Sequence, residues 1–315
     1  MGKIIKNRVI LLMGPTASGK SDLAIDLARQ FGTEIVSVDS ALVYRGMDIG
    51  TAKPSQTIRA TIAHHLIDIC DPSEVYSAAN FRENAVKLIE KLHKKDKVPL
   101  FVGGTMLYFK ALQYGLSDLP GANEAVREQL EIEAESLGWA SLHQRLAKVD
   151  PETASRVHQN DPQRIQRALE VYMISGKPLS TLINEGKVTE SGYDFIKLVV
   201  SPKDRSKLHE RIAMRFCHMM DQGFLHEVEA LFNRGDLYSK LPSMRAVGYR
   251  QLWQFLEGKI GYEEAVQKSI NATRQLAKRQ MTWLRAETAC QWFDSLDQQV
   301  LNNILKYLGN GPIKG

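Results

Sequence analysis

Apolar positions along this chain change their spacing several times, and each change marks an element. Val9-Ile10-Leu11-Leu12-Met13 is a continuous apolar run, as expected of a strand buried on both faces. Leu23, Leu27, Ala28 and Phe31 then recur at helical spacing, with Gly32 placed to cap the helix C-terminus. Glu34-Ile35-Val36-Ser37-Val38 predicts a second strand that ends at Asp39. Phe81, Ala85, Leu88, Ile89 and Leu92 predict another helix, and its basic end, His93-Lys94-Lys95, suits a helix C-terminus. Val98-Pro99-Leu100-Phe101-Val102 predicts a third strand, closed by Gly103-Gly104-Thr105. Strand alternating with helix is the rhythm of a parallel sheet with right-handed crossovers.

That rhythm stops near Gly115. Up to Gly192 the pattern holds helical runs punctuated by Pro120-Gly121, Gly138, Asp150-Pro151, Asp161-Pro162 and Gly176-Lys177-Pro178. Tyr193-Asp194-Phe195-Ile196-Lys197-Leu198-Val199-Val200 restores a strand, and the remainder reads as mostly helical. The expectation is an α/β fold: a phosphate-loop (P-loop) parallel-sheet core with helices on both faces, plus a helical insertion domain. The core's first part is placed at 1–115, the insertion at 116–192, and core completion with C-terminal helices at 193–315. Between the second strand and the next helix, Asp39 to Pro54 is rich in Gly and charge. It predicts a loop over the strand ends, where function concentrates. His64-His65 invites a metal reading, but adjacent side chains diverge on a helix or a strand, so a hydrogen-bonded structural role is preferred.

Composition adds mainly exclusions. The 315 residues are 43% hydrophobic, ample for a sizeable core. A net charge of +5 is too mild to indicate nucleic acid without a local concentration of charge. Cys70, Cys217 and Cys290 have no CxxC spacing, so neither a disulfide framework nor a zinc site is expected, and Cys70 reads as a small buried hydrophobe. Met1–Lys6 lacks a signal-peptide core and no apolar run is long enough to span a bilayer; a cytoplasmic monomer, away from membranes, is expected.

Chemistry enters at Gly14-Pro15-Thr16-Ala17-Ser18-Gly19-Lys20-Ser21, which follows the first strand and opens the first helix. This is a phosphate-binding loop in its required context. Glycines let successive backbone N–H groups face an anion at a helix N-terminus. Lys20 would hold phosphate oxygens, and the Ser21 hydroxyl is placed for Mg2+. The third strand ends in Gly-Gly-Thr where many nucleoside-triphosphate hydrolases carry Asp; Asp39 closes the second strand instead.

Two helices concentrate positive charge. Asp161 can cap the first, with Pro162 at its opening position and Ile165, Ala168, Leu169 and Tyr172 as its buried stripe. Gln163, Arg164 and Arg167 then lie on other faces, and from this helix alone a solvated face is preferred. In the second, at about 100° per residue, Arg274, Lys278 and Arg285 share a stripe opposite Leu276, Trp283 and Leu284. A rail for nucleic-acid phosphates and a solvated face fit that stripe equally well.

GPTASGKS, DSALVYRGMDIGTAKP, GGTMLY, DPQRIQRALEV, LPSMRAVGYRQ and ATRQLAKRQMTWLR occur in that order. Together they resemble the bacterial tRNA dimethylallyltransferases (tRNA isopentenyltransferases) over nearly the whole chain. The resemblance implies transfer of a dimethylallyl group from dimethylallyl diphosphate, with Mg2+, to the exocyclic amine of the adenosine 3′ of the anticodon. The tRNAs implied are those reading codons that begin with U. It implies Asp39 as general base and Thr105 as the hydroxyl contacting the acceptor, with Gly14 to Ser21 on the diphosphate. The tRNA anticodon stem-loop would contact Asp39, Ser40, Ala41, Leu42, Thr105, Arg127, Gln163, Arg164, Ile165, Gln166 and Arg167. Further contacts are implied at Arg245, Gly248, Tyr249, Arg250, Lys278, Arg279, Gln280 and Arg285, and Arg211 and Arg215 are further phosphate candidates. Many members carry Gln where this chain has Leu42. Three rivals stay open: an adenylate isopentenyltransferase using free nucleotide, a nucleotide kinase sharing the loop and sheet, and a non-catalytic RNA-binding protein.

Overall fold

The computed structural model describes residues 7–186 and 192–310. The start at Met1–Lys6 and the last stretch of the predicted insertion, 187–191, lie outside them. The elements run β1 (Arg8–Met13), α1 (Lys20–Phe31), β2 (Ile35–Val38), α2 (Gln56–Thr61), β3 (His64–His65), α3 (Ala78–His93), β4 (Leu100–Gly103) and α4 (Met106–Tyr114). Five helices follow: α5 (Glu124–Leu137), α6 (Trp139–Val149), α7 (Pro151–Arg156), α8 (Pro162–Ser175) and α9 (Leu179–Glu185). Then come β5 (Asp194–Ser201), α10 (Arg205–Asp221), α11 (Phe224–Phe232), α12 (Tyr249–Leu256), α13 (Tyr262–Ala286), β6 (Cys290–Asp294) and α14 (Val300–Asn310). Two compact units result, Met1–Gln113 with Ser191–Gly315, and Tyr114–Glu190.

The first unit is an α/β layer structure. Its six-stranded sheet has the order β3-β2-β4-β1-β5-β6, and every pairing is parallel. Alternation along β1 sends Val9, Leu11 and Met13 to one face, where Phe81, Ala85, Ile89 and Leu92 of α3 and Phe109 and Leu112 of α4 cover them. Ile10 and Leu12 meet Leu23 and Leu27 of α1 and Ile304 and Leu308 of α14 on the other. Burial on both faces is why the predicted strands read as apolar runs. Gly32 does end α1, in the left-handed region at φ 57°.

Two strands escaped the pattern. β6, Cys-Gln-Trp-Phe-Asp, pairs among the described residues with β5 alone and leaves Gln291 and Trp292 exposed, so it lacks an apolar run and fell within the mostly helical expectation. β3 is just His64-His65. Their rings diverge as expected: His64 Nδ1 pairs with Ile62 O at 2.7 Å, and His65 Nε2 with the Glu34 carboxylate at 2.7 Å. Lys97 first, then His65 and Lys95, hold that carboxylate down to about 2 against the cost of burial. Among the described residues, no group of three or more His, Cys, Asp or Glu is placed to hold a metal, and no helix is long and apolar enough to cross a membrane.

The stretch from Asp39 to Pro54 is a loop, but not a merely polar one. Val43, Tyr44 and Met47 are fully buried against Phe216, Phe224, Met244 and Tyr249, in a cluster built by α10, α11, α12 and the start of α13. Glu227 of α11 fastens it, accepting from the N–H groups of Asp48 (2.8 Å), Ile49 (2.7 Å) and Gly50 (3.1 Å) and from the Tyr249 hydroxyl (2.5 Å). Lys53, almost wholly enclosed, donates to Tyr44 O at 2.9 Å and pairs with Asp48 and Asp68. Gly50 is required by crowding: a Cβ there would lie 2.1 Å from the Phe224 ring.

The second unit, α5 to α9, packs Leu130, Leu142, Leu146, Ile165 and Leu169 into its own core. Its polar centre is Glu170, fully buried and satisfied by Arg127, Arg167 and the Asn123 N–H.

Replacing Glu227 with Ala strands several N–H groups and a buried phenol, each such loss costing about 1–3 kcal/mol. Because Asp48 can turn to water, we expect about 3 kcal/mol of destabilisation in total, read from urea unfolding, with Glu227→Gln losing less.

Candidate active site and its cationic cradle

The carboxyl ends of the parallel strands converge, as α/β sheets require of a ligand site. β1 runs into Gly14–Lys20, β2 into Asp39, and β4 into Gly104-Thr105. Gly14 can only be glycine, since a Cβ would sit 2.3 Å from Val200 O and 2.9 Å from Ser18 Oγ. Ser18 Oγ is itself buried without a hydrogen-bond partner, and Gly19 reaches φ 89° to start α1. The loop is curled, with Ser18 N–H on Pro15 O at 3.3 Å and Lys20 Nζ on the same oxygen at 3.2 Å.

α10 supplies the facing charge. Leu208, Ile212, Phe216 and Met219 bury one stripe of this helix, so Arg211 and Arg215, one turn apart, come off a neighbouring face together. Arg211 Nε donates to Ala17 O at 2.9 Å and its fork lies over Gly19. Arg215 is half-buried and reaches Thr51 O at 3.5 Å. Burial, then the nearby Arg211, lowers the Arg215 guanidinium, while Asp39 acts in the opposite sense. Burial first and Arg215 second push the Lys20 ammonium down to about 8, against the pull of Asp39. Three cations, Lys20, Arg211 and Arg215, thus face Asp39, with Asp22 a weaker influence on Arg215, an excess of positive charge suited to an anion.

The acid and the hydroxyl meet beside this cradle. Asp39 Oδ1 accepts from the N–H groups of Ala41 (2.8 Å) and Leu42 (3.3 Å). Among the described residues Oδ2 has no hydrogen-bond partner. Thr105 N–H donates to Val38 O at 3.1 Å, and Thr105 Oγ1 accepts from Ser40 N–H at 3.1 Å. One Asp39 oxygen is held and the other is free for a substrate proton; the Thr105 O–H has only a long contact, to Ser40 Oγ at 3.5 Å.

A family profile described as IPP transferase matches residues 42–287. The chain belongs to the IPP transferase family. Among similar solved structures is the full-length tRNA isopentenylpyrophosphate transferase of Bacillus halodurans, 34% identical with a TM-score of 0.71, covering 97% of this chain and 96% of that one. The tRNA delta(2)-isopentenylpyrophosphate transferase of Staphylococcus epidermidis is 35% identical at a TM-score of 0.69, covering 97% of this chain and 99% of that one. A eukaryotic dimethylallyltransferase acting on tRNA is 28% identical at 0.80, covering 98% and 81%. The family profile begins beyond the phosphate loop and Asp39; the overlap with the solved structures spans nearly the whole chain.

Within this family member the predicted RNA surface divides. Lys278, Arg279 and Arg285 of α13 are exposed, as are Arg245, Arg250, Gln163 and Arg164. Four predicted contacts are not surface side chains. Ile165 and Tyr249 are fully buried core residues, Gly248 is buried with its N–H taken by Gln251, and Gln280 is buried on the inner face of α13. Arg127 and Arg167 are committed to Glu170, and Gln166 reaches Arg127 O at 3.2 Å. Arg274 is half-buried with its Nε enclosed; burial first, then Arg205 and Arg274, lower the His209 imidazole. The face opposite the basic stripe is also corrected: Ala277, Gln280 and Leu284 are the buried positions, whereas Trp283 is 45% exposed under Lys110, whose Nζ is 5.7 Å from its ring centre. Leu276 and Trp283 lie at one edge of the buried arc, which runs through Ala277, Gln280 and Leu284.

Glu227 and Lys53 were missed, and Gln280 was implied only as a tRNA contact. A lone Glu, Lys or Gln gives no periodic signal when its partners are backbone groups far along the chain. The Arg211–Arg215 pair did carry one, two arginines a turn apart beside a clean apolar stripe.

The Lys20 shift fixes a pH dependence. Its folded value lies below that of a free lysine, and a bound polyanion raises it again. Pyrophosphate binding therefore takes up a proton above pH 8, so affinity is full below that value and falls as pH rises through it. Calorimetric titration should show this loss, whereas in Lys20→Arg, whose charge does not titrate, only the pyrophosphate's own protonation should remain.

Proposed function

We propose that this chain transfers a dimethylallyl group from dimethylallyl diphosphate to the exocyclic amine of a tRNA adenosine, the one 3′ of the anticodon in tRNAs reading codons that begin with U. The observation carrying this reading is the cradle of Lys20, Arg211 and Arg215 at the phosphate loop, set against an acid with one free oxygen. A kinase would share the loop; the family and the solved relatives named above weigh for prenyl transfer. The reading includes a monomer acting in the cytoplasm on the anticodon stem-loop.

An aromatic exocyclic amine is a weak nucleophile, so Asp39 assists by accepting its proton at Oδ2 as the new bond forms. The amine nitrogen attacks the first carbon of the dimethylallyl group. The carbon–oxygen bond breaks and its electron pair leaves on the diphosphate. Lys20, Arg211 and the loop N–H groups stabilise the charge that accumulates there, and Arg215 adds to the field. Thr105 orients the acceptor through its hydroxyl, itself steadied by Ser40 N–H. The adenine reaches the site by leaving its stack.

Magnesium fits the residues present. The Ser21 hydroxyl is exposed at the first turn of α1, a hard oxygen beside the loop, and magnesium takes few protein ligands when phosphates and waters supply the rest. Bound there, it would neutralise diphosphate charge.

Incubating the protein with labelled dimethylallyl diphosphate and either total tRNA or AMP tests the reading. Label is expected in tRNA; label in AMP, or thermal protection by ATP with no transfer, overturns it. Asp39→Asn should keep tRNA affinity while slowing the single-turnover step by about 10²-fold or more.

The RNA surface has its own test. Removing Lys278 and Arg285 together should lower the slope of log affinity against log salt by about one to two units, alike for tRNAs of different sequence. An unchanged slope in filter binding would return these charges to ordinary solvated ones.

A further inference from the structure

Gln280 stands apart from its neighbours on α13. Lys278 and Arg279 are exposed, but Gln280 is 8% exposed, and its amide is spent on two backbone groups of the site. Its Oε1 accepts from Thr16 N–H in the phosphate loop at 2.9 Å, and its Nε2 donates to Gly104 O at 2.8 Å. Gly104 is the residue before Thr105, and the two loops touch at this point. A Cβ on Gly104 would fall 2.4 Å from Gln280 Nε2 and 3.2 Å from Gly14 O.

The donor cradle and the acceptor hydroxyl are therefore joined through one side chain. We propose that Gln280 is a positioning residue that sets the separation between the phosphate loop and Thr105, and hence between the two reactants; this rests on the prenyl-transfer reading. A glutamine amide presents a donor and an acceptor side by side on one planar group without any need for protonation. Without it, Thr16 N–H and Gly104 O are both unpartnered, and each loop can relax independently. A shift of about 1 Å between reactants is enough to cost about 10²-fold in rate.

A residue of merely structural worth would lower the unfolding midpoint and leave the chemistry alone, so the test is made on the chemical step. Single-turnover transfer is measured at saturating donor and tRNA, well below each variant's midpoint. Gln280→Leu, similar in size but unable to make either bond, should slow the step by about tenfold to 10²-fold. Gln280→Glu gives a signature independent of stability. When protonated its carboxyl can donate to Gly104 O and accept from Thr16 N–H; when ionised it opposes the carbonyl. The ratio of its rate to wild type should rise as pH falls. A Gln280→Leu rate within twofold of wild type, or a flat Gln280→Glu ratio, overturns the proposal. If the Leu variant does not fold, the Glu ratio decides. Wild type runs in the same assay, and its failure to transfer would sink the prenyl-transfer reading instead.

Discussion

Like charges do not gather in a half-buried cleft without something to oppose them. Lys20, Arg211 and Arg215 do so with Asp39 as the carboxylate nearest in effect and Asp22 beyond it, and the cost is visible in the lowered lysine and the lowered guanidinium. That unmet positive charge is the constraint from which the rest of the first unit can be understood. It has to be held in place by structure that does not depend on the ligand. The parallel sheet delivers Lys20 from behind β1, and the apolar stripe of α10 delivers both arginines from the other side. A diphosphate bound there, as proposed, would turn this repulsion into affinity with little left to rearrange.

Preorganisation of the acid is achieved differently. Asp39 sits at the end of a four-residue strand, and strand geometry fixes only where it starts. The turn that follows fixes its carboxylate, through the N–H groups of Ala41 and Leu42, and that turn is anchored by Tyr44 and Met47 in the helical cluster. The loop's apolar residues are therefore part of how the acid is aimed, although none of them is near enough in kind to act chemically. Leu42 contributes its backbone N–H here, a role independent of which side chain stands there.

Legibility in the sequence followed from how local the physics was. Strands buried on both faces declare themselves as unbroken apolar runs, so β1, β2, β4 and β5 were readable, as was the phosphate loop between β1 and α1. The α8 cap at Asp161 and Pro162 was readable for the same reason, being fixed within one helical turn. An edge strand such as β6, paired on one side and wet on the other, carries no such run. Hydrogen bonds from side chain to distant backbone are invisible to periodicity, so neither Glu227 nor the backbone bonds of Gln280 could be found. On α13 the apolar face was read through Leu276, Trp283 and Leu284; Leu284 is buried, but Ala277 and Gln280 take the places given to Leu276 and Trp283.

The fastening of the 48–50 turn by Glu227 spans 179 positions of the chain. During synthesis the phosphate loop, Asp39 and Thr105 all emerge long before the helices that orient them. β1 also waits for β5, whose register with it joins Arg8 to Asp194. An amino-terminal fragment on the ribosome thus carries every residue of the loop and the acid without the geometry that makes them a site. Long-range closures of this kind form late, after the chain that bridges them is complete. The nascent protein is in this sense chemically silent, and its competence arrives with α10, α11 and α13, not with the motif that names it.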